Sequence, residues 1–440
     1  MASYPVKWFD SSLEGAPTIA YGFGQLVAML DAVMVNGFNI KAVGTITRVD
    51  TTATVHIPLG HAYKVGQIVR IDDVDQPEYG GEQRVTWVDS NNFRFEVSGA
   101  PVTPATTGTA ITCRAAPLGW EIVYSAGNKR VYRAPTGLRH YLRVDNTEPV
   151  GWVSGAPVFA DVKMARDLSD IDALIDYAPY ALGPMHPSWG HYKWYQKAVG
   201  LDTNYLGACV DPNRSVPNTW WVVGDPRLFY FATNSNAQGT TYGVGKALYA
   251  FGEFNSFKPA DTWNSLLFAV EHYNDAGYGS ASNNRLVGNY LAGPESGTFN
   301  YPYNKGQLAL RDATGMGVPP AVSKVGLNCL TDDNAALASW VSGKSTGIAY
   351  PNLSDFSLML TPAYLKEHGA SKCLRGTLPG MFGVVTQVGE NVAPLTIFDT
   401  ITGMPGRQGI VMDIAGERAS GTPADSGARL VFDISQVGWR

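Results

Sequence analysis

Charge is the scarcest ingredient of this chain. Only 16% of its 440 residues are Asp, Glu, Lys or Arg and 45% are hydrophobic, whereas an ordinary soluble protein is roughly 25% charged. A surface so thinly charged is expected to be buried against copies of itself or against other subunits. Lys and Arg nowhere cluster, and the net charge is −5, which excludes the basic patch that nucleic acid requires. Cysteine is rare too: Cys113, Cys209, Cys329 and Cys373 lie far apart with no C-x-x-C spacing. Neither a disulfide framework nor a zinc site is signalled, and four reduced thiols are expected. Long apolar runs are missing. The most apolar early stretch, LVAMLDAVMV, carries Asp31 and falls short of the roughly 20 residues that cross a bilayer. The opening MASYPVKWFDSSLEGAP holds no apolar run or cleavage pattern of a secretory signal, so synthesis in a cytoplasm is expected.

Turn formers are plentiful. The chain has 48 glycines and 27 prolines, well above the average share near 12%, which favours many short strands over long helices. At the usual domain size of roughly 100–200 residues the length implies two to four units. FGQLVAMLDAVMVNG places Leu26, Met29, Leu30 and Val33 at helical spacing, with Gly37 positioned as the stop. Ahead of it, residues 4–18 carry Trp8 and two prolines and read as an extended arm lying on a neighbouring surface. GTITRVDTTATVHIP alternates about Asp50-Thr51-Thr52 as a hairpin; residues 65–71 give a third strand, and residues 83–88 and 93–97 a second hairpin around DSNN. Five strands in so short a segment suit a small barrel or Ig-like sandwich inserted into the surrounding fold.

From His61 to Val97 the pattern H-x-x-x-x-G-x-x-V-x-I, a Tyr-Gly turn, V-T-x-V and a final F-x-F-x-V resembles a β-module recurrent in tailed-bacteriophage virion proteins. Ala62 and Gln67 stand where that module more often has Gly and Asp. The likeness widens downstream. VVGDPRLFYFAT, ALYAFGEFNSFKPADT, LRGTLPG, GMPGRQGIVM and VFDISQVGWR, in that order, resemble a family of phage virion proteins encoded with the tail genes of long-tailed phages, Mu-like siphophages among them. That resemblance implies a structural role near the tail or its tip and supplies no catalytic residues.

Further elements follow from spacing. GWEIVYSAGNKRVYRA reads as a hairpin, YLRVDN as a strand, and DLSDIDALIDYAP as a short helix with Leu168, Ile171, Leu174 and Ile175 as its buried stripe. WWVVGDPRLFYFATN reads as a strand pair, GKALYAFGEF as a strand, and short helices are expected near Asp261, in LTDDNAALASWVSG and in LTPAYLKEHG, the last capped by Thr361 and ended by Gly369. The final 70 or so residues read as strands between Gly-Pro turns.

Motifs that could carry chemistry are weak. GTTYGVGKA misses the Walker spacing at Thr240 and Ala247, and ADSG at 424–427 is too short a match for a serine nucleophile. His186 and His191 sit in a Pro-Trp-Gly loop without a helix to aim them at one metal. The acidic turn holding Asp72, Asp73, Asp75 and Glu78 lacks EF-hand spacing. Glu253, Asp261 and Glu271 are carboxylates from which a glycosidase pair could be drawn, but no spacing selects one. The densest aromatic segment, together with the arm, nominates Trp8, Trp189, Trp194, Tyr195, Trp220 and Trp221 as an interaction surface, either for subunit contacts or for host-surface glycans.

The expectation is therefore a mainly β, multidomain chain with no catalytic residue, metal ligand or cofactor nominated: an N-terminal arm and helix (1–41), an inserted β-barrel or Ig-like module (42–114), and two β-sandwich-like units with short helices (115–290 and 291–440). Functionally it is expected to be a virion protein of the phage tail or baseplate, a homo-oligomer that docks other tail proteins, with a glycan-binding tail-tip protein or a neck or head–tail adaptor as alternatives.

Overall fold

The computed structural model describes residues 6–150, 158–177, 192–197, 217–234, 246–262, 264–271, 306–311, 321–328, 358–367, 374–384, 392–399, 401, 404–414, 429–435 and 439. The chain is β-rich and multidomain. The arm forms β1 (Lys7–Asp10), and α1 (Gln25–Leu30) runs on into a π-helical turn at Asp31–Asn36. Leu26, Met29, Leu30 and Val33 are fully buried, as the spacing predicts. Two distant amides cap the helix start: Asn146 Oδ1 accepts from the Gly24 and Leu26 N–H groups, and Gln196 Oε1 accepts a second, longer bond from Leu26. Without them the Leu26 N–H would be buried unpaired. Gly37 closes the turn at φ 74°, and a Cβ there would lie 2.4 Å from the Ala115 carbonyl oxygen, so only glycine fits.

The module follows at once. β2 (Phe38–Ala42), β5 (Ile68–Asp72), β6 (Gly81–Arg84) and β9 (Thr112–Ala115) form one four-stranded sheet. β3 (Thr45–Val49), β4 (Thr52–His56), β7 (Trp87–Val88) and β8 (Asn92–Glu96) form another. The two share a separate core that includes Ile46, Val55, Val69, Ile71, Tyr79, Phe93 and Phe95. The motif residues are thus its packing residues. His61 is buried, stacked on Tyr63, and accepts the Tyr63 N–H through Nδ1. Ala62 takes φ 49°, left-handed backbone that suits the glycine more often found there. Residues 83–88, read as one strand, divide in two. Val85 N–H bonds Gln67 O and Thr86 N–H bonds Arg94 O, so the chain changes sheets between these residues, a corner of the kind that joins packed sheets.

The remaining strands belong to one 19-stranded antiparallel network. β10 (Glu121–Ala126), β11 (Lys129–Arg133), β12 (Tyr141–Asp145) and β13 (Val158–Leu168) form a meander, and β14 (Leu174–Tyr177) and β15 (Tyr192–Lys197) both pair with β13. β16 (Trp220–Gly224) pairs with β1 and with β17 (Leu228–Asn234), which pairs with β18 (Lys246–Glu253); β18 pairs with β20 (Ser265–Glu271). β15 also pairs with β20, which joins the two runs. Beyond the short β19 (Asn255–Ser256) come β21 (Gly306–Arg311), β22 (Ala321–Asn328), β23 (Leu360–Glu367), β24 (Leu374–Val384), β25 (Ile397–Phe398), β26 (Gly409–Asp413) and β27 (Arg429–Asp433).

Both faces of the central strands are covered, which explains their near-continuous apolar sequence. On one face Phe229 and Phe231 meet Trp194, with Phe231 4.8 Å away edge-on. On the other, Trp221 and Tyr230 meet Phe432.

Three expected helices are not helical. Residues 169–173 turn between β13 and β14, with Ser169 and Ala173 hydrogen-bonded across the turn, and Ile175 of the supposed buried stripe is 46% exposed. Asp172 is drawn away to Lys129 and Arg143 instead. LTPAYLKEHG supplies β23, where Thr361, Ala363 and Leu365 are buried while Pro362 is exposed and Tyr364 half-buried; period 2 overrides the Thr-Pro cap signal. No helix begins at Asp261, because the following SLLFAVE is the buried strand β20. LTDDNAALASWVSG lies outside the described residues.

Candidate functional site

The expected aromatic surface is, where described, interior. Trp8 is 2% exposed, and Trp194, Trp220 and Trp221 are fully buried. Each indole N–H donates to a backbone carbonyl: Trp8 to Gly66 (3.2 Å), Trp194 to Phe268 (2.7 Å), Trp220 to Pro17 (2.9 Å) and Trp221 to Asp413 (2.7 Å). A ring packed on a sheet face with its polar handle satisfied is core, so these four do not form a docking face. Trp189 and the Tyr195 side chain lie outside the described residues, as do His186, His191 and the ADSG stretch. In the acidic turn, Asp72 is held by Arg70 (2.7 Å) and Arg114 (2.8 Å), and Asp75 accepts from Thr106.

Trp8 instead marks the junction between module and main sheet. Its N–H and the Arg84 guanidinium both donate to Gly66 O, and its neighbour Lys7 pairs with Glu82 and donates to Pro117 O. Burial holds the Lys7 amine below its usual range, only partly offset by Glu82. The arm therefore lies on its own chain, paired to β16 and pinned to the module.

The described residues also enclose an open cleft of about 470 Å³ built from three separated segments. The first is the Gly137–Leu138 turn before β12, the second is Arg227 at the β16–β17 turn, and the third is the end of β18 with the polar loop to Asn264. Glu253 knits the first two together: it accepts the Leu138 N–H and lies 3.3 Å from Arg227. Gly137 takes φ 83°, left-handed backbone that favours glycine, and a Cβ there would crowd the Glu253 carboxylate. The third segment is held by Phe254 N–H to Asn264 O (2.8 Å), Asn264 Nδ2 to Phe254 O (2.6 Å), and Ser256 Oγ to Asp261 (2.6 Å). Two of the three carboxylates singled out above, Glu253 and Asp261, thus line one cleft. Glu271 does not, being six residues along β20 from Ser265, the cross-strand partner of Glu253, or about 20 Å away at strand rise.

Beside the cleft, the buried His140 shares a hydrogen bond through Nδ1 with the buried Ser265 Oγ. Desolvation, aided by Arg166, pushes its pKa down to about 4, so the ring is neutral at pH 7. Nothing in the spacing of His140 and Ser265 announced this pair. The sheet face of β11 to β15 opposite the aromatic core carries a second charged assembly. Arg143, whose side chain is 5% exposed, reaches Asp145 (3.0 Å), Asp161 (3.8 Å) and Asp172. Lys193 stands directly opposite Asp161 across the strands, its amine 3.7 Å from the centre of the Phe159 ring. Burial lowers the Lys193 pKa to about 7 and raises that of Asp161.

Compared with protein-family models and with curated proteins, the chain matches none.

Proposed function

We propose that this chain is a structural subunit of a tailed-phage virion, located in the tail or baseplate, which assembles as a symmetric oligomer and docks neighbouring tail proteins. One observation carries this reading from the structural side. Among the described residues, six of the twelve large apolar side chains left exposed, Ile40, Val49, Leu59, Val65, Trp87 and Val102, lie in the segment from β2 to β9. A unit with a closed core of its own and apolar residues outside is suited to contact other chains. The module pattern from His61 to Val97, the downstream likeness to phage virion proteins and the sparse surface charge support the same reading.

The test is the mass of the purified protein by light scattering, followed by its location in intact particles by electron microscopy. A closed oligomer found at the tail or baseplate is the expected outcome. A stable monomer absent from particles overturns the proposal.

A further inference from the structure

The cleft bounded by Gly137, Arg227 and the loop after β18 has the polar lining of a ligand site. Its volume of about 470 Å³ falls within the roughly 300–1,000 Å³ of small-molecule pockets. Its charged lining is balanced, Arg227 and Lys258 against Glu253 and Asp261. A phosphate or other anion would meet two carboxylates, and an organic cation two bases, so neither suits it. A hydrocarbon is disfavoured because side-chain amides, a hydroxyl and these charges dominate the wall.

The lining supplies donors in Arg227 and Lys258, acceptors in Glu253 and Asp261, and groups that do both in Asn255 and Ser256. Donors beside acceptors are the complement of a hydroxyl, which both accepts and donates. The second feature is apolar. Phe257, between the lining residues Ser256 and Lys258, is 53% exposed, with Tyr364 tilted beside it at 6.4 Å. An exposed ring next to a hydroxyl-complementary wall matches a pyranose, which has a C–H face to lay on an aromatic and equatorial hydroxyls at its edge. The loop is held in advance by its own hydrogen bonds and by pairing of β19 with Gly376 and Thr377 of β24, so little ordering cost remains for binding.

We infer that this cleft binds a saccharide unit, with its ring face on Phe257 and its hydroxyls toward Arg227, Asp261 and Asn264. The test is titration of the full-length protein, by calorimetry and saturation-transfer NMR, with glucose, galactose, mannose, N-acetylglucosamine and a lipopolysaccharide core oligosaccharide. Binding of at least one of these is expected, with a loss of roughly tenfold or more in Phe257→Ala and in Asp261→Asn. Because Phe257 is exposed, Phe257→Ala should keep the parent melting temperature, so lost binding is not lost folding. No binding by any of the five, or equal binding in both variants, overturns the inference. Neither light scattering nor particle imaging bears on this result, so the assembly proposal and the cleft fail independently.

Discussion

His140 shows how one buried side chain couples this fold to pH. Its folded pKa, about 4, lies below the ordinary 6.5. Between these values the unfolded chain takes up a proton that the native chain refuses, so stability falls as pH drops from 6.5 to 4. The loss amounts to about 3 kcal/mol, and the term vanishes above 6.5, where both states are neutral. Urea midpoints measured from pH 7 to pH 4 should therefore decline more steeply in the parent than in His140→Gln. Parallel curves would mean that the ring is hydrated in solution. None of this could be read along the chain, because Ser265, 125 residues away, supplies the partner. By contrast the motif residues of the module could be read directly: Val69, Ile71, Phe93 and Phe95 alternate in sequence and are buried in the structure.

At the scale of elements, the charged face of β11 to β15 is where local and tertiary signals part. Spacing alone made a helix of DLSDIDALIDYAP, since Leu168, Ile171, Leu174 and Ile175 fall at helical intervals. The structure makes a hairpin because β13 offers an open edge to β14, while Arg143 and Lys129 draw Asp172 to the charged side of the turn. Arg143→Met keeps the volume but removes the guanidinium, leaving the half-buried Asp161 to Lys163 and Lys193. The expected cost is about 3 kcal/mol at neutral pH. Asp161 already holds its proton above the usual range, so that cost should shrink as the solution is acidified. Guanidinium unfolding of parent and variant at pH 7 and pH 5 checks both the size and the trend; a pH-independent difference would indicate lost packing alone.

Across the whole molecule, one residue of the arm ties two cores together. Trp8 packs in the main core, and its N–H reaches Gly66 of the module. Trp8→Ala should destabilise the chain by about 3–5 kcal/mol, the usual range for deleting a buried tryptophan side chain. It should also split the calorimetric unfolding transition, the module melting apart from the main sheet. An unsplit transition would place the coupling in the neighbouring Lys7, which pairs with Glu82 of the module and donates to Pro117 O.

What the sequence determined by itself is what depends on neighbours in the chain: the helix ending at Gly37, the hairpins at Asp50 and Gly127, the alternating strands of the module, and the dominance of β structure. These follow from periodicity and turn chemistry over a few residues. Only the tertiary structure decided that tryptophans 8, 194, 220 and 221 are core and not surface, that three helix-like stretches are strands or turns, and that Gly137, Arg227, Glu253 and Asp261 meet in one cleft. Burial and convergence depend on which strands become neighbours, and antiparallel pairing across more than a hundred residues sets that. Period and propensity carry no record of it.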